Sequence, residues 1–536
     1  MNKKPISYQV SMEKIEEFIK GGKKKFFKKP DFTRFLDPDY RNYVIRRIII
    51  YLSLSAFCVA FLLLLSASTS PLYNWYIEGD SSIFIFIGKA IHMGKNVYTD
   101  YFDHKGPLLF YLNALGYSLT GSKTGIFIIQ CIVLSLSAIF MYKTARIFTK
   151  TARAIICVLI SILAFASTIS DGNMSEEYCM LFCLISIFLS VKFYTKTPDK
   201  AHNPKYMFIY GICFAICAFI RINNGIMIGG IVLISIVTDF VSERVQEAGK
   251  NILYFIAGMV VVFVPVCLFF IIKGTFSDMI FATFTFNLLY ASEGASIKAS
   301  STLSGIIKWT MPAMALIVVS LIFAKRLGAK VASLITAISV FALIPVMMGF
   351  GYTHYYTTLI PLITLYASAF FFIAGNRVNV LSLLLCIAMA LPLGGYFETL
   401  PYNVSHYYGK IYEQNNPSTS RNSYSDTYYS AKKLSALIPD SEKDSVFGYN
   451  VSSAWFLYAD IMPCFKLFTL QEEWAMHYPE FGRQINQMMI DSPPKWVIVH
   501  NIDIIKSSQF LNLLDENYEF TDENGYDLLY RLKEES

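Results

Sequence analysis

Residues Glu78–Pro107 read E-G-D-S-S-I-F-I-F-I-G-K-A-I-H-M-G-K-N-V-Y-T-D-Y-F-D-H-K-G-P. The stretch follows the first long apolar segment and holds Asp80, Asp100, Asp103, His104 and Lys105. Ionisable side chains gathered at the membrane end of a hydrophobic helix are costly to keep there, and they point to function by default. Inside the stretch, Ile83–Met93, closed by Gly94, has the pattern of a short helix lying in the membrane interface. Which face of the membrane it occupies is decided by the rest of the chain.

Of the 536 residues, 54% are hydrophobic and 16% charged, and the mean hydropathy is +0.44. A soluble domain carries about 25% charged residues. Apolar runs of spanning length recur from Ile48 to Phe397, which makes this a polytopic α-helical membrane protein. The formal charge of +7 does not point to nucleic acid. Much of the excess sits in a basic tail, residues 1–47, at Lys23, Lys24, Lys25, Lys28, Lys29, Arg34, Arg41, Arg46 and Arg47. Such a tail sets topology and touches anionic lipid on the cytoplasmic side. Met1–Pro30 lacks the apolar core of a cleavable signal peptide, and Tyr8–Ile19 reads as a short amphipathic surface helix. Nine of the 10 cysteines lie in apolar runs, and only Cys464 is in polar sequence, so no disulfide framework is expected. The i,i+4 pairs Cys179/Cys183 and Cys213/Cys217 read as small apolar helix residues, not as metal ligands.

About eleven spans fit between residues 48 and 399, taking about 20 residues per crossing. Pro107–Gly121 decides the topology. It is short for a span and carries Asn113. If it does not cross, then Lys143, Arg146, Lys150, Arg153, Lys196, Lys200, Lys205, Arg244, Lys250, Lys325, Arg326, Lys330 and Arg377 all fall on the side of the basic tail, as the positive-inside rule requires. It is therefore predicted to be a second interfacial helix. The opposite, extracytoplasmic face then receives Glu78–Lys123, Ser170–Glu177, Arg221–Asn224, Gly274–Gly305, Gly351–Tyr356 and everything after Tyr396.

Beyond residue 400 the composition becomes that of a soluble domain. Residues 400–423 read as a polar linker and 424–536 as a small α/β domain. Its predicted elements are helices over 424–437, 451–460, 472–491 and 507–516, strands over 445–450, 465–470 and 495–500, and a hairpin near 519–532. It has no nucleotide-binding glycine fingerprint and no nucleophile motif.

Inverting glycosyl transfer needs a carboxylate to take the acceptor's proton and positive charge to receive a departing phosphate. Asp80 is the candidate base, and it also suits the start of a helix. Lys105, before Gly106–Pro107, is the candidate phosphate ligand, or a snorkelling lysine. Asp103 and His104 either orient Lys105, touch the sugar or are solvated loop residues. Glu176 and Glu177 open a helix, where negative charge suits the dipole, and they also suit a metal or sugar hydroxyls. Arg221, at a turn, is placed either to hold phosphate bidentately or to snorkel. His354 is a second phosphate or sugar donor, or a satisfied rim histidine. Tyr355, Tyr356, Tyr290 and Trp75 read as aromatic-belt residues. Asn173, Asn403 and Asn450 sit in N-x-S sequons, a weak signal.

The run G-D-S-S-I-F…G-K-N-V-Y-T-D-Y-F-D-H-K-G-P-L-L-F-Y-L-N-A-L-G resembles the first outer loop of bacterial GT-C glycosyltransferases. That group includes the aminoarabinose transferase of lipid A, rhizobial core sugar transferases and protein O-mannosyltransferases. D-G-N-M-S-E-E-Y, R-I-N-N-G and T-H-Y-Y-T-T-L-I-P agree in order, so the resemblance covers Tyr76 to Pro361. It implies a multi-spanning GT-C-type bundle with two interfacial helices in the first outer loop. It also implies a polyprenyl-phosphate-linked donor, no nucleotide sugar, and transfer outside the cytoplasm. The family's aspartate falls on Asp80 and its lysine on Lys105, and a second acidic motif matches Glu176–Glu177 loosely.

The expectation is an integral-membrane glycosyltransferase of the plasma membrane that transfers a sugar to a cell-envelope glycan, lipid or protein. Lys105, His104, Asp103, Arg221, His354, Glu176 and Glu177 are its donor-binding candidates, and a divalent metal ion, where used, would fall on Asp80, Glu176 or Glu177. The alternative is a transporter or flippase for a lipid-linked glycan. It predicts ionisable residues midway along spans and paired broken helices, whereas here the charges gather at one rim. A third reading, a non-catalytic envelope protein with an outer binding domain, leaves Asp80 and Lys105 without a task.

Overall fold

The computed structural model describes residues 37–289, 303–348, 352–375, 404–405, 408–409 and 423–534. The basic tail up to residue 36, the Tyr8–Ile19 helix, Tyr290, Arg377, the span expected at 379–397 and nearly all of the 400–423 linker lie outside the described residues. The chain divides into two units at Leu54. In the first, Arg47 donates to the hydroxyls of Tyr43 and Tyr51, at 2.9 and 2.6 Å.

Helix α1 (Pro38–Leu65) leads into a long loop that carries α2 (Asp80–His92) and α3 (Pro107–Thr120). The bundle continues with α4 (Lys123–Phe148), α5 (Thr151–Phe165), α6 (Ser175–Lys196), α7 (Pro204–Arg221), α8 (Ile226–Val241) and α9 (Val245–Ile272). After α10 (Phe276–Ile280) and a π-helical turn over Phe281–Thr285 come α11 (Leu303–Ile322), α12 (Ala329–Met348) and α13 (Ile360–Ala374). Seven helical stretches among the described residues are long and apolar enough to cross a membrane. One of them, Pro204–Val241, is itself a hairpin. A straight helix of that length would reach about 57 Å, yet the Asp239 carboxylate accepts from the His202 backbone N–H at 3.2 Å. The break falls at Ile222–Gly225, so Arg221 sits at the turn, as expected.

α3 has 14 residues, about 21 Å of helix, too short for a hydrocarbon core of about 30 Å. Pro107 starts it, and Gly121, in the left-handed conformation, ends it. Ser122 then caps α4 by accepting from the Thr124 N–H. α2 and α3 pack so closely that a Cβ on Gly88 would lie 2.8 Å from Asn113. At the bundle's other end Arg153 donates to the Gly375 carbonyl at 3.0 Å and Lys330 to that of Pro198 at 2.5 Å. The basic loops are thus gathered at one end and the α2–α3 loop at the other.

The C-terminal region is a four-stranded sheet in the order β1 (Val446–Tyr449), β2 (Trp496–His500), β4 (Asp527–Leu532), β3 (Tyr518–Asn524). β1 and β2 are parallel and the remaining pairs antiparallel. Around it lie α14 (Ser423–Ser435), α15 (Ser453–Ala459), α16 (Gln471–His477), α17 (Glu480–Asp491) and α18 (Ser508–Asn517). Two expectations fail here. The helix predicted over 472–491 is broken at Tyr478–Pro479, because proline lacks the N–H and disfavours helix in the residue before it. Residues 465–470 form no strand. Their apolar side chains cover α2 instead, with the Phe468 ring 4.6 Å from that of Phe86, and the Lys466 carbonyl accepts from the Phe102 N–H at 2.9 Å.

Candidate functional site

Gly79, with φ +100°, turns the chain into α2 and leaves Asp80 as its first helical residue. Lys105 reaches the same point from the end of the loop. Its Nζ is 3.4 Å from the Asp80 carboxylate; the lysine side chain is 6% exposed and the aspartate 32%, so the carboxylate stays open to an approaching molecule while its partner is enclosed. The Lys105 N–H donates to Asp103 at 2.8 Å, a local turn that aims the lysine. Its ammonium lies 3.2 Å from His104 Nε2 and 5.6 Å from the centre of the Phe84 ring. Asn287 holds the His104 carbonyl at 2.6 Å.

Gly106 anchors this loop to the end of α7. Its N–H donates to the Ile220 carbonyl at 3.0 Å. A Cβ at this position would lie 2.1 Å from the Phe219 carbonyl oxygen, so the close approach requires glycine. The contact carries Lys105 to the neighbourhood of Arg221. Arg221 is held by Glu176 and lies over the Tyr355 ring, 4.2 Å from its centre. His354 packs edge-on against Tyr355 at 4.6 Å and stacks on Tyr352 at 5.8 Å.

Burial pushes the Asp80 carboxyl up, but Lys105, with His354 and Arg221, outweighs it and holds the group below the ordinary carboxylate value. Burial works against the Lys105 charge, yet Asp80 and Asp103 raise it above an ordinary lysine. Burial also raises Asp103, against the pull of Lys105. His104 is pushed well down by burial and by the Lys105 charge, so it is neutral. Asp80 is thus a carboxylate and Lys105 an ammonium across the neutral range.

The predicted residues do not all converge. Asp80, Asp103, His104, Lys105, Arg221 and His354 form one electrostatic cluster. Glu176 serves it through Arg221. Glu177 faces away: it accepts from the Met174 N–H and from Gln130, both at 2.9 Å, and closes the start of α6. Among the described residues no three His, Cys, Asp or Glu side chains form a metal-binding group. Of the three carboxylates considered for a metal, Glu176 pairs with Arg221, Glu177 closes the start of α6, and Asp80 pairs with Lys105. Tyr355 is a buried seat for Arg221, not a residue of a lipid-facing belt. Asn173 is 0% exposed and bonds Asn113 at 2.9 Å, which removes it as a glycosylation acceptor.

Sequence reasoning missed α16. Trp474 packs on His104 at 5.3 Å and on Phe102 at 5.9 Å. Burial raises the Glu473 carboxyl, and its next influence is Lys105, which places a further carboxylate beside the cluster. Nothing in the run Q-E-E-W marks it as part of a site 370 residues upstream. Three buried polar atoms around the cluster lack a hydrogen-bond partner among the described residues: Asp103 Oδ2, Trp474 Nε1 and Asn224 Nδ2. Such groups cost about 1–3 kcal/mol each when unpaired, and a polar ligand would satisfy them.

The likeness to solved structures is at the level of fold. ArnT from Cupriavidus metallidurans, bound to undecaprenyl phosphate, superposes with a TM-score of 0.56 and 12% identity, over 91% of this chain and 98% of that one. The Archaeoglobus fulgidus oligosaccharyltransferase in the apo form gives a TM-score of 0.51 and 12% identity, over 89% of this chain and 74% of that one. The expected GT-C-type helical bundle with a small C-terminal sheet is the fold of this chain. No curated protein sequence matches it. A family model, the competence-induced protein Ccs4 N-terminal domain, matches residues 46–374.

Proposed function

The chain belongs to the competence-induced protein Ccs4 N-terminal domain family, and from its GT-C fold and the geometry of the Asp80 cluster we propose that it is a membrane glycosyltransferase using a polyprenyl-phosphate-linked sugar. The observation that carries this reading is the Asp80–Lys105 pair at the head of α2, beside Arg221 and His354. Asp80 takes the proton of an acceptor hydroxyl. The new bond forms between that oxygen and the anomeric carbon, and the bond from that carbon to the phosphate oxygen breaks. The electron pair leaves with the lipid phosphate. Lys105 and Arg221 receive the negative charge that develops there. Glu176 orients the guanidinium, and His354 and neutral His104 are donors to phosphate or sugar. The GT-C neighbour bound to undecaprenyl phosphate supports this lipid as the carrier.

The test is turnover of a radiolabelled polyprenyl-phosphate sugar by the purified full-length protein. Its pH dependence is expected to be flat. Asp80 is held below the ordinary aspartate value and Lys105 above the ordinary lysine value, with ordinary values of about 3.9 and about 10.4. Falling pH therefore leaves the base ionised, and rising pH leaves the ammonium charged, from about pH 5 to about pH 9. A limb near the histidine value would assign the base to a histidine instead.

The site faces the extracytoplasmic side of the plasma membrane in this reading, with the basic N-terminus cytoplasmic and the C-terminal domain outside. In a Cys464→Ser background, a cysteine placed at Ser122 is then expected to react with an impermeant thiol reagent in intact cells, and one at Thr149 to stay unlabelled. The reverse pattern would place the site in the cytoplasm.

A further inference from the structure

A cavity of about 180 Å³, with polar groups set among apolar walls that include Ile83, Val451 and Trp455, opens between the start of α2 and the C-terminal sheet. Its walls include Glu78, Gly79, Asn450, Leu470, His500 and Asp527. We propose that this cavity is the acceptor subsite, and that it takes an uncharged or amino-bearing sugar residue. The inference rests on the glycosyltransferase reading above and deepens it.

Position comes first. Gly79, which lines the cavity, directly precedes Asp80, the first residue of α2. α16 joins the two sites physically. Its first turn begins at Leu470, which lines the cavity, and its Trp474 packs on His104 beside Lys105.

Chemistry comes second. The cavity combines the carboxylates of Glu78 and Asp527 with an imidazole, an amide and hydroxyls, and no lysine or arginine is among its lining residues. His500 Nδ1 lies 2.7 Å from Asp527 Oδ1, and that bond is the main reason its pKa is raised. Ser430 holds the second Asp527 oxygen, so the His–Asp pair is fixed in orientation. Acceptors and donors of this mixture suit the hydroxyls of a sugar. Two carboxylates against one imidazole oppose a phosphorylated or carboxylated acceptor and favour a neutral or amino sugar.

Backbone strain converges on the same place. Gly79, Asn450 and Leu470 all have positive φ, at +100°, +56° and +55°. Leucine rarely adopts this conformation, and strained backbone held by its surroundings concentrates at binding sites.

The experiment uses purified full-length protein in detergent on an array of neutral, amino and phosphorylated saccharides, with undecaprenyl phosphate binding measured on the same preparation. The parent is expected to retain neutral or amino saccharides. Glu78→Gln and His500→Gln are each expected to weaken that retention at least tenfold while undecaprenyl phosphate binding is unchanged, which also shows that each variant is folded. No retention by the parent, retention confined to phosphorylated saccharides, or retention unaltered in both variants would overturn the subsite. Failure of undecaprenyl phosphate binding in the parent would instead overturn the donor reading.

Discussion

Asp80→Asn is expected to lower transfer from a polyprenyl-phosphate sugar by about 10²–10⁴-fold, the range a positioned general base contributes. Binding of undecaprenyl phosphate should survive. The amide keeps the shape at the head of α2 and loses both the proton-accepting oxygen and the charge 3.4 Å from Lys105. Because Lys105 and Arg221 remain, the phosphate end of the donor keeps its cations. The measurement is a comparison of kcat and of donor affinity for parent and variant. Equal kcat would remove Asp80 from the chemistry. Loss of affinity with unchanged kcat would make it a donor-binding residue.

Gly106→Ala is expected to be almost as damaging, without touching a reacting group. The added methyl would sit 2.1 Å from the Phe219 oxygen and 2.3 Å from its carbon, both backbone atoms that cannot rotate away. The loop must lift off α7, and the 3.0 Å bond from the Gly106 N–H to Ile220 is lost. Overpacking of this kind costs about 1–3 kcal/mol, and a displacement of about 1 Å in a positioned group lowers rate by about 10²-fold. The expected result is a folded protein of reduced thermal stability in which donor affinity and turnover fall together. An alanine variant with parental affinity would show that the loop–helix contact does not set the position of Lys105.

Much of this was legible along the chain. Hydropathy marked the spans, and the short length of Pro107–Gly121 with the bias of distant lysines and arginines predicted a helix that does not cross; α3, at 14 residues, agrees. Asp80 and Lys105 stood out because charge beside a membrane helix is costly. Both are local properties of composition and spacing, so sequence carries them. The division of labour between Glu176 and Glu177 was not legible, because adjacent residues on a helix point about 100° apart; one reaches Arg221 and the other Gln130. The contribution of α16 was hidden for a stronger reason: Trp474 meets His104 only after the C-terminal region docks on the first loop.

By itself, then, the sequence determined a multi-pass helical bundle and the polar loop that carries Asp80 and Lys105, because membrane insertion reads hydrophobicity and charge locally. Tertiary structure alone decided which candidates face that pair. Close backbone approach at Gly106 put Lys105 near Arg221, and docking of residues 463–474 onto Tyr101, Phe102 and His104 supplied the remaining wall. Those contacts join segments hundreds of residues apart, and they follow from shape and packing that no local pattern encodes.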